Sequence, residues 1–176
     1  MLWMIVKPSF GPEYAIELDR IGKSEDELGQ QSFKIRWRQA KANIWFTSMR
    51  LAGPNRLAFR PPTHIKTTGK GADLPADAAQ EIVRAWLHML KETRYPSDSE
   101  FASGMDGTDY EFYAWDLSHR EPMKGHIWSP ESGPTAMLVQ LGESLITYVK
   151  AAPADRPELL AKCINEARAI RAYEYK

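Results

Sequence analysis

The chain has a single cysteine, Cys163, among its 176 residues. One thiol can form no intrachain disulfide and cannot supply a cysteine-based zinc cluster. A chain of this length needs neither to fold, because it buries roughly 70% of its unfolded surface. Hydrophobic residues make up 43% of the chain and charged residues 26%, which is typical of globular proteins. The length predicts one domain spanning residues 1–176.

Long apolar runs are absent too. The first ten residues, MLWMIVKPSF, contain six apolar residues before Lys7 and Pro8. They lack the basic leader and the small-residue cleavage site of a signal peptide. No run approaches the about 18–20 residues that span a bilayer. The sequence therefore predicts a short first strand here, a cytoplasmic location and no membrane partner.

Local signatures of catalysis and metal binding are missing. None of the four histidines (His64, His88, His119, His126) lies in an HxxxH, HxH or HExxH arrangement, and no GxSxG occurs. His119 and His126 flank a predicted turn, so they could approach each other. Residues 67–71, TTGKG, lack the first glycine and the final Ser or Thr of a phosphate-binding loop, so we predict a flexible loop. Cys163 lies on an apolar helical stripe, which predicts a buried, inert thiol. These absences favour a non-catalytic protein without metal or cofactor, and they leave open a mechanism that has no local signature.

Basic residues are absent between Tyr95 and Ser118, a stretch that holds six acidic residues: Asp98, Glu100, Asp106, Asp109, Glu111 and Asp116. Residues 1–70 carry 12 Lys/Arg and 6 Asp/Glu, a net charge of +6, whereas residues 71–176 carry 11 and 17, a net charge of −6. Such asymmetry predicts either a polarised surface that steers a charged partner or two halves that attract each other within one fold.

Hydrophobic periodicity predicts the fold class. Apolar residues alternate or run briefly in six segments, which predicts strands at 2–6, 14–21, 33–39, 43–51, 110–114 and 124–128. We expect 33–39 to pair with 43–51, and 110–114 with 124–128, as hairpins. Helical stripes run from Asp77 to Leu90, from Pro134 to Val149 and from Leu159 to Ile170. Asp77 with Gln80 is expected to cap the first of these helices. This order predicts an α+β fold, an antiparallel sheet of about six strands in hairpins packed against about three helices.

Residues 106–116, DGTDYEFYAWD, are the most distinctive stretch. Asp106, Asp109 and Glu111 place three carboxylates within six residues, a spacing that suits Ca²⁺ or Mg²⁺, but the full calcium-loop pattern is missing. We prefer to interpret Asp106-Gly107 as a turn with glycine at positive φ, leading into a hairpin. Asp109 and Glu111 alternate on one strand face, which also permits an acid–base pair of the kind glycosidases use.

Four of the six tryptophans divide into two groups. Trp3, Trp37 and Trp86 fall on apolar faces, so we predict that they lie in the core. Trp115 shares a face with Tyr113 and Glu111 on the predicted strand. An exposed aromatic face edged by carboxylates is typical of protein recognition surfaces. The alternative is that helices cover both faces of the sheet and bury Trp115.

The first half of the chain offers a basic face between residues 34 and 50, made of Lys34, Arg36, Arg38, Lys41 and Arg50. Such a face could bind nucleic acid. The neutral total charge, and Phe33 and Trp37 pointing to the opposite side, argue against this. We prefer a solvated sheet face, and nucleic acid is the partner we least expect.

Part of the chain resembles a pattern that recurs in small uncharacterised bacterial proteins. The matching residues are Asp106-Gly107-Thr108-x-Tyr110-x-Phe112, then Trp115, then Gly125-x-x-Trp128-Ser129-Pro130, then Leu138-x-x-Leu141-x-x-x-Leu145. The resemblance covers about 40 residues. Some small α+β bacterial proteins of this kind are immunity proteins or inhibitors of secreted toxins. The resemblance therefore implies a toxin as partner, and it carries over no catalytic residue.

The sequence leads to one preferred function and two alternatives. We predict a non-catalytic protein-binding module, an immunity protein that neutralises a toxin through an acidic and aromatic surface. Its expected contact residues are Asp106, Asp109, Glu111, Tyr113, Trp115 and Asp116. The first alternative is a carboxylate-dependent hydrolase, with or without a metal ion. The second is a nucleic-acid binder that uses residues 34–50.

Overall fold

The sheet is the framework of the protein. The computed structural model describes residues 1–21, 32–44, 47–48, 64–93, 106–115 and 122–174. Its six strands are β1 (Leu2–Pro8), β2 (Tyr14–Ile21), β3 (Ser32–Ala40), β4 (Thr67–Leu74), β5 (Thr108–Ala114) and β6 (Met123–Trp128). They lie in the order β4-β3-β2-β1-β5-β6, and every neighbouring pair is antiparallel.

In the described ranges, three long helices pack with the sheet: α1 (Ala76–Glu92), α2 (Gly133–Lys150) and α3 (Arg156–Arg171). Helices α1 and α2 pack on one face of the sheet, and α3 packs on both of them. The buried residues of α3 are Cys163, Ala167 and Ile170, spaced three or four apart, so they form one stripe that faces the other helices. The predicted α+β fold, with six antiparallel strands and three helices, is confirmed.

The core forms between the sheet and α1 and α2. Along β1, Leu2, Met4 and Val6 are buried while the residues between them are not, as expected for a strand with one covered face. The Trp86 ring of α1 meets the Phe112 ring of β5 edge-on, with 5.8 Å between centroids. Gly142 of α2 lies directly on Met4. Burying each large apolar side chain contributes about 1.5–3 kcal/mol.

The opposite side of the sheet, which we call the outer face, is not covered by α1, α2 or α3. Strand alternation assigns to it the residues Trp3, Ile5, Lys7, Ala15, Glu17, Asp19, Lys34, Arg36, Arg38, Gly69, Gly71, Asp73, Asp109, Glu111, Tyr113, Lys124, His126 and Trp128. The prediction that Trp3 lies in the core is therefore wrong. It lies half-buried on the outer face because it alternates with the buried Leu2 and Met4.

The prediction of a strand at 43–51 is wrong for the residues of that segment that the structure describes. Residues 44, 47 and 48 are helical, and the Thr47 N–H donates to the Asn43 carbonyl at 3.1 Å. The partner of β3 is instead β4, in the segment predicted to be a flexible loop. Short apolar runs fit a helix as well as a strand, whereas an edge strand with exposed side chains needs no apolar pattern. The remainder of 43–51 lies outside the described residues.

Two local predictions are also corrected. Pro75, not Asp77, is the N-cap of α1, and Asp77 lies in the first turn, where its charge favours the positive end of the helix dipole. Gly133 is the one described glycine with positive φ, so Gly107 is not chosen for that conformation. A Cβ at Gly107 would lie 2.6 Å from the Trp128 ring, and close packing explains the glycine instead.

No helix in the described ranges is both long and apolar enough to span a membrane.

Candidate functional site

Five of the six predicted contact residues lie in or beside β5. Asp109, Glu111 and Tyr113 occupy alternate positions of β5 on the outer face. Trp115 follows the last residue of the strand, and Asp106 precedes the first and is exposed. Asp116 lies outside the described residues. The structure thus brings three of the predicted residues together and puts one at each end of them.

The two β5 carboxylates already have basic partners within the chain, Lys7 and His126. Lys7 is opposite Asp109 in the β1–β5 pairing, and His126 is opposite Glu111 in the β5–β6 pairing. The Lys7 Nζ donates to Glu111 Oε1 and lies 3.8 Å from Asp109 Oδ2. The His126 Nε2 contacts Asp109 Oδ1. The acidic run in the sequence is therefore not an acidic patch at this point of the surface.

Tyr113 extends this network. Its hydroxyl donates to Glu111 Oε2 at 2.8 Å. Burial by itself would raise the pKa of Glu111, but the hydrogen bonds from Lys7 and Tyr113 and the charges of Lys7 and His126 lower it overall. Burial, followed by the hydrogen bond to Glu111 and the charges of Glu111 and Asp109, raises the pKa of Tyr113 to about 12. At neutral pH, Glu111 is thus ionised and Tyr113 is a hydrogen-bond donor.

Aromatic side chains continue from this network to the end of the sheet. The rings of Trp3 and Tyr113 lie 5.6 Å apart between centroids, and Lys124 Nζ lies 6.0 Å from the Tyr113 centroid. The Trp115 N–H donates to the Met1 carbonyl at 2.8 Å, which extends the β1–β5 ladder, and Trp115 is 40% exposed. We call Trp3, Tyr113 and Trp115 the aromatic strip. An exposed tryptophan beside two half-buried rings is the kind of anchor that protein interfaces favour.

Metal binding and thiol chemistry find little support in the described ranges. No group of three His, Cys, Asp or Glu residues there is arranged to hold a metal ion. Cys163 is fully buried, and burial, with the nearby charge of Glu166, raises its pKa to about 12. The thiol is buried and stays protonated, as the sequence predicted. His119, expected near His126, lies outside the described residues.

Lys7 and His126 are the functional-site residues that the sequence reasoning missed. The predicted hairpin of 110–114 with 124–128 contained a usable signal for His126, because its register places His126 opposite Glu111. No comparable signal existed for Lys7, since β1 and β5 are separated by about a hundred residues and their pairing is a tertiary event.

The basic face is shorter than the sequence predicted. Lys34, Arg36 and Arg38 lie on the outer face of β3, while Phe33 and Trp37 are buried on the other side, as expected. The Arg36 Nη1 lies 2.9 Å from Asp19 Oδ2 and 4.0 Å from Glu17 Oε1 of β2. Lys41 is exposed just beyond β3, and Arg50 lies outside the described residues. Carboxylates of β2 therefore neutralise the middle of this face, which weakens the nucleic-acid alternative.

Comparison with protein-family models, with curated proteins and with solved structures finds no match for this chain.

Proposed function

We propose that the protein is a non-catalytic protein-binding module that neutralises a bacterial toxin, and that the outer face at β1, β5 and β6 binds this partner. The observation that carries the proposal is the aromatic strip, in which Trp115 is 40% exposed and follows Tyr113, whose ring lies against that of Trp3 at a tilt of 31°. Large aromatic side chains lose little conformational entropy on binding and dominate the affinity of protein interfaces.

The carboxylates have a different role in this proposal from the one that the sequence suggested. Asp109 contacts His126, and Glu111 accepts hydrogen bonds from Lys7 and Tyr113. Much of the negative charge of the two carboxylates is therefore compensated within the protein. They fix the orientation of Tyr113 and keep the centre of the face polar. Asp106, which is exposed, contributes to the steering of a cationic partner. The aromatic strip then supplies the contact area.

The proposal is tested by co-purification with the product of the neighbouring gene. We expect a complex with the unaltered protein, and we expect Trp115→Ala to weaken it by about 2 kcal/mol, roughly thirtyfold in Kd. Asp109→Lys is expected to weaken it further, because it sets a new cation beside Lys7 and His126 and disrupts the face.

Phe10→Ala is the matched control. Phe10 is 76% exposed and lies in the turn beyond the far end of β1, away from Trp115. It should leave the complex unchanged. A complex that tolerates Trp115→Ala as well as it tolerates Phe10→Ala would refute the assignment of the face, and failure of any complex to form would refute the partner.

One observation favours the hydrolase as a second candidate function. The Asp109 carboxylate contacts His126 Nε2, and Lys7, Glu111 and Tyr113 adjoin them on an accessible sheet face. A carboxylate-oriented histidine is a common general base. Chromogenic esters, phosphoesters and glycosides would be assayed with the unaltered protein and with His126→Ala. Turnover that disappears in His126→Ala but survives Phe10→Ala would favour this candidate over the binding module.

A further inference from the structure

The two edge strands of the sheet differ in how much of them is covered. In β4, six of the eight residues are exposed, including the whole run from Thr67 to Gly71. In β6, only Lys124 is exposed. No described strand pairs with the outward side of β4. A long exposed edge of this kind presents unpaired backbone donors and acceptors.

The backbone groups that face outward from β4 follow from the ladder. The Lys41 N–H donates to the Lys66 carbonyl at 2.9 Å, and the β3–β4 register continues from this pair. In an antiparallel ladder, residues alternate between bonding inward and pointing outward. Thr68, Lys70 and Ala72 thus bond to β3, whereas the backbone N–H and C=O groups of Thr67, Gly69 and Gly71 point to the free edge. The next residue of this set, Asp73, is different because its carbonyl already accepts from the Tyr148 hydroxyl at 2.8 Å.

Two cationic side chains of β3 lie over the glycines of β4. Gly69 and Gly71 are on the outer face, opposite Arg38 and Arg36. The Lys34 Cε is 3.4 Å from where a Cβ on Gly71 would stand, and the Arg38 Cγ is 3.4 Å from the corresponding point at Gly69. The glycines leave room for both side chains to lie across the strand towards its edge.

These two cations differ from their neighbour in their ion pairing. Arg36 is paired with Asp19 and Glu17, but within the described part of the chain Lys34 and Arg38 have no carboxylate within 4.0 Å. Arg38 is attracted by the charge of Glu17, and Lys34 lies opposite Asp19 and Asp73 in the register, but neither cation forms a close ion pair in the described part of the chain. The edge of β4 therefore combines outward backbone groups with two cations that can still bind a carboxylate at close range.

We propose that the edge of β4 binds an extended acidic polypeptide segment by strand addition. The added strand pairs with the outward groups of Thr67, Gly69 and Gly71, and it ends before Asp73, whose carbonyl is bonded to Tyr148. Its residues opposite Gly69 and Gly71 are acidic and lie on the outer face. Strands are about 4.8 Å apart, so β3 lies about 10 Å from the added strand. Lys34 and Arg38 reach across part of that distance and the acidic side chains of the added strand reach across the rest, because Gly69 and Gly71 place no side chain between them. This surface is separate from the aromatic strip, and it does not depend on the function proposed above.

A polypeptide fits this edge better than a nucleic acid does. Single-stranded nucleic acids bind through bases stacked on exposed aromatic rings. Phe33 and Trp37 of β3 are buried on the opposite side of the sheet. The outward N–H and C=O groups alternate with the spacing of another strand, which is the recognition mode of strand addition.

The test uses a fluorescent peptide of about nine residues that alternates Thr and Glu, a strand of ordinary length. Anisotropy at low salt is expected to show binding that weakens as salt is added. The same peptide with Gln in place of Glu is expected to bind at least about tenfold more weakly. N-methylation of the amides on its pairing side is expected to have an effect of similar size, because it removes the strand hydrogen bonds.

Variants locate the site. Lys34→Gln with Arg38→Gln is expected to weaken binding of the Thr/Glu peptide at least about tenfold. Arg84→Gln with Arg168→Gln removes the same charge from exposed positions of α1 and α3 and is expected to leave binding unchanged. Circular dichroism confirms that each variant is folded. Hydrogen exchange on the unaltered protein is expected to slow at Gly69 and Gly71 when the peptide binds, whereas Thr68, Lys70 and Ala72 are protected beforehand.

Three results would overturn the proposal. The first is no binding of the Thr/Glu peptide at low salt. The second is equal binding of the N-methylated peptide, which would mean charge attraction without strand addition. The third is tight binding of a single-stranded DNA oligonucleotide, lost in the Lys34/Arg38 variant, without binding of the peptide. None of these results bears on the aromatic strip, which Trp115→Ala tests separately.

Discussion

The two halves of the outer face, one at β1, β5 and β6 and the other at β3 and β4, differ in how their charged side chains are paired. At β1, β5 and β6, carboxylates of one strand meet cations of the next, and aromatic rings lie beside them. At β3 and β4, one of three basic residues is paired and the others lie over glycines at an exposed edge. The surface around β5, which belongs to the acidic part of the sequence, carries little net charge in the folded protein. The charge of a sequence segment therefore does not give the charge of the surface to which it contributes.

The largest expected difference between the halves concerns their glycines. A Cβ at Gly107 would lie 2.6 Å from the Trp128 ring and 2.7 Å from the Ser129 Oγ, so Gly107→Ala should lower the free energy of unfolding by about 1–3 kcal/mol. A Cβ at Gly71 would meet its neighbours at 3.4–3.8 Å. Gly71→Ala should raise the free energy of unfolding by about 0.5 kcal/mol, because it restricts the unfolded chain. Urea denaturation measures both.

Equal effects of the two alanine substitutions would contradict this contrast. If Gly107→Ala were neutral, the Trp128 end of β6 would be free to move aside, and the close packing described above would not be a constraint on the sequence.

A smaller effect is expected from the carboxylate at the centre of the first half. Glu111→Gln should lower the free energy of unfolding by about 1–2 kcal/mol at pH 7, since it weakens the hydrogen bonds from Lys7 and Tyr113. The pKa of Glu111 is lowered by folding. Its stabilising contribution is therefore present above the ordinary value of 4.5 and is lost as the pH falls through the folded-state pKa. Denaturation between about pH 3 and pH 7 measures this dependence.

The variant should consequently differ most from the unaltered protein at pH 7 and least at pH 3. A gap that stays constant over this range would mean that the charge of Glu111 is not what stabilises the face. Titration of Tyr113 gives a second measurement, because its pKa of about 12 should fall towards 10 when Glu111 is replaced by Gln.

The smallest effect is expected in the other half and has the opposite sign. The pKa of Glu17 is raised by burial and by its hydrogen bond and charge interaction with Asp19, against the attraction of Arg36 and Arg38. A raised pKa contributes stability below the ordinary value of 4.5, and this is lost as the pH rises through the folded-state pKa. Glu17→Gln should therefore stabilise the protein at pH 7 by about 0.5 kcal/mol and have no effect near pH 3. Thermal unfolding at the two pH values measures it, and destabilisation at pH 7 would show that Arg36 outweighs Asp19.

Particular elements show why some predictions held and others did not. Segment 14–21 was predicted with its observed bounds, because its alternation of apolar and polar residues matches a half-covered strand. The β5–β6 hairpin and the three helices follow in the same way from local periodicity. β4 was missed because an exposed edge strand with two glycines carries no apolar pattern. Trp3 was misplaced because a short apolar run does not indicate which of its alternate residues face the helices.

In the candidate site too, the arrangements set by local patterns were predicted, and those set by contacts between distant strands were not. Alternation along β5 was enough to group Asp109, Glu111 and Tyr113 on one face, and the hairpin register was enough to oppose Glu111 and His126. The contribution of Lys7 depends on β1 lying beside β5, which no local pattern indicates. The pairing of Asp109 and Glu111 with Lys7 could therefore not be predicted from the sequence.

The sequence by itself determined five of the six strands and the three helices of the described ranges, because strand and helix periods are local consequences of backbone geometry. It also determined which residues of each strand share a face. Only the tertiary structure decided that β1 separates β2 from β5, that Lys7 meets Glu111, and that β4 forms an edge. These arrangements depend on contacts between distant residues, whose free energy comes from burying the core as a whole. The charge that remains on the outer face is a product of that arrangement.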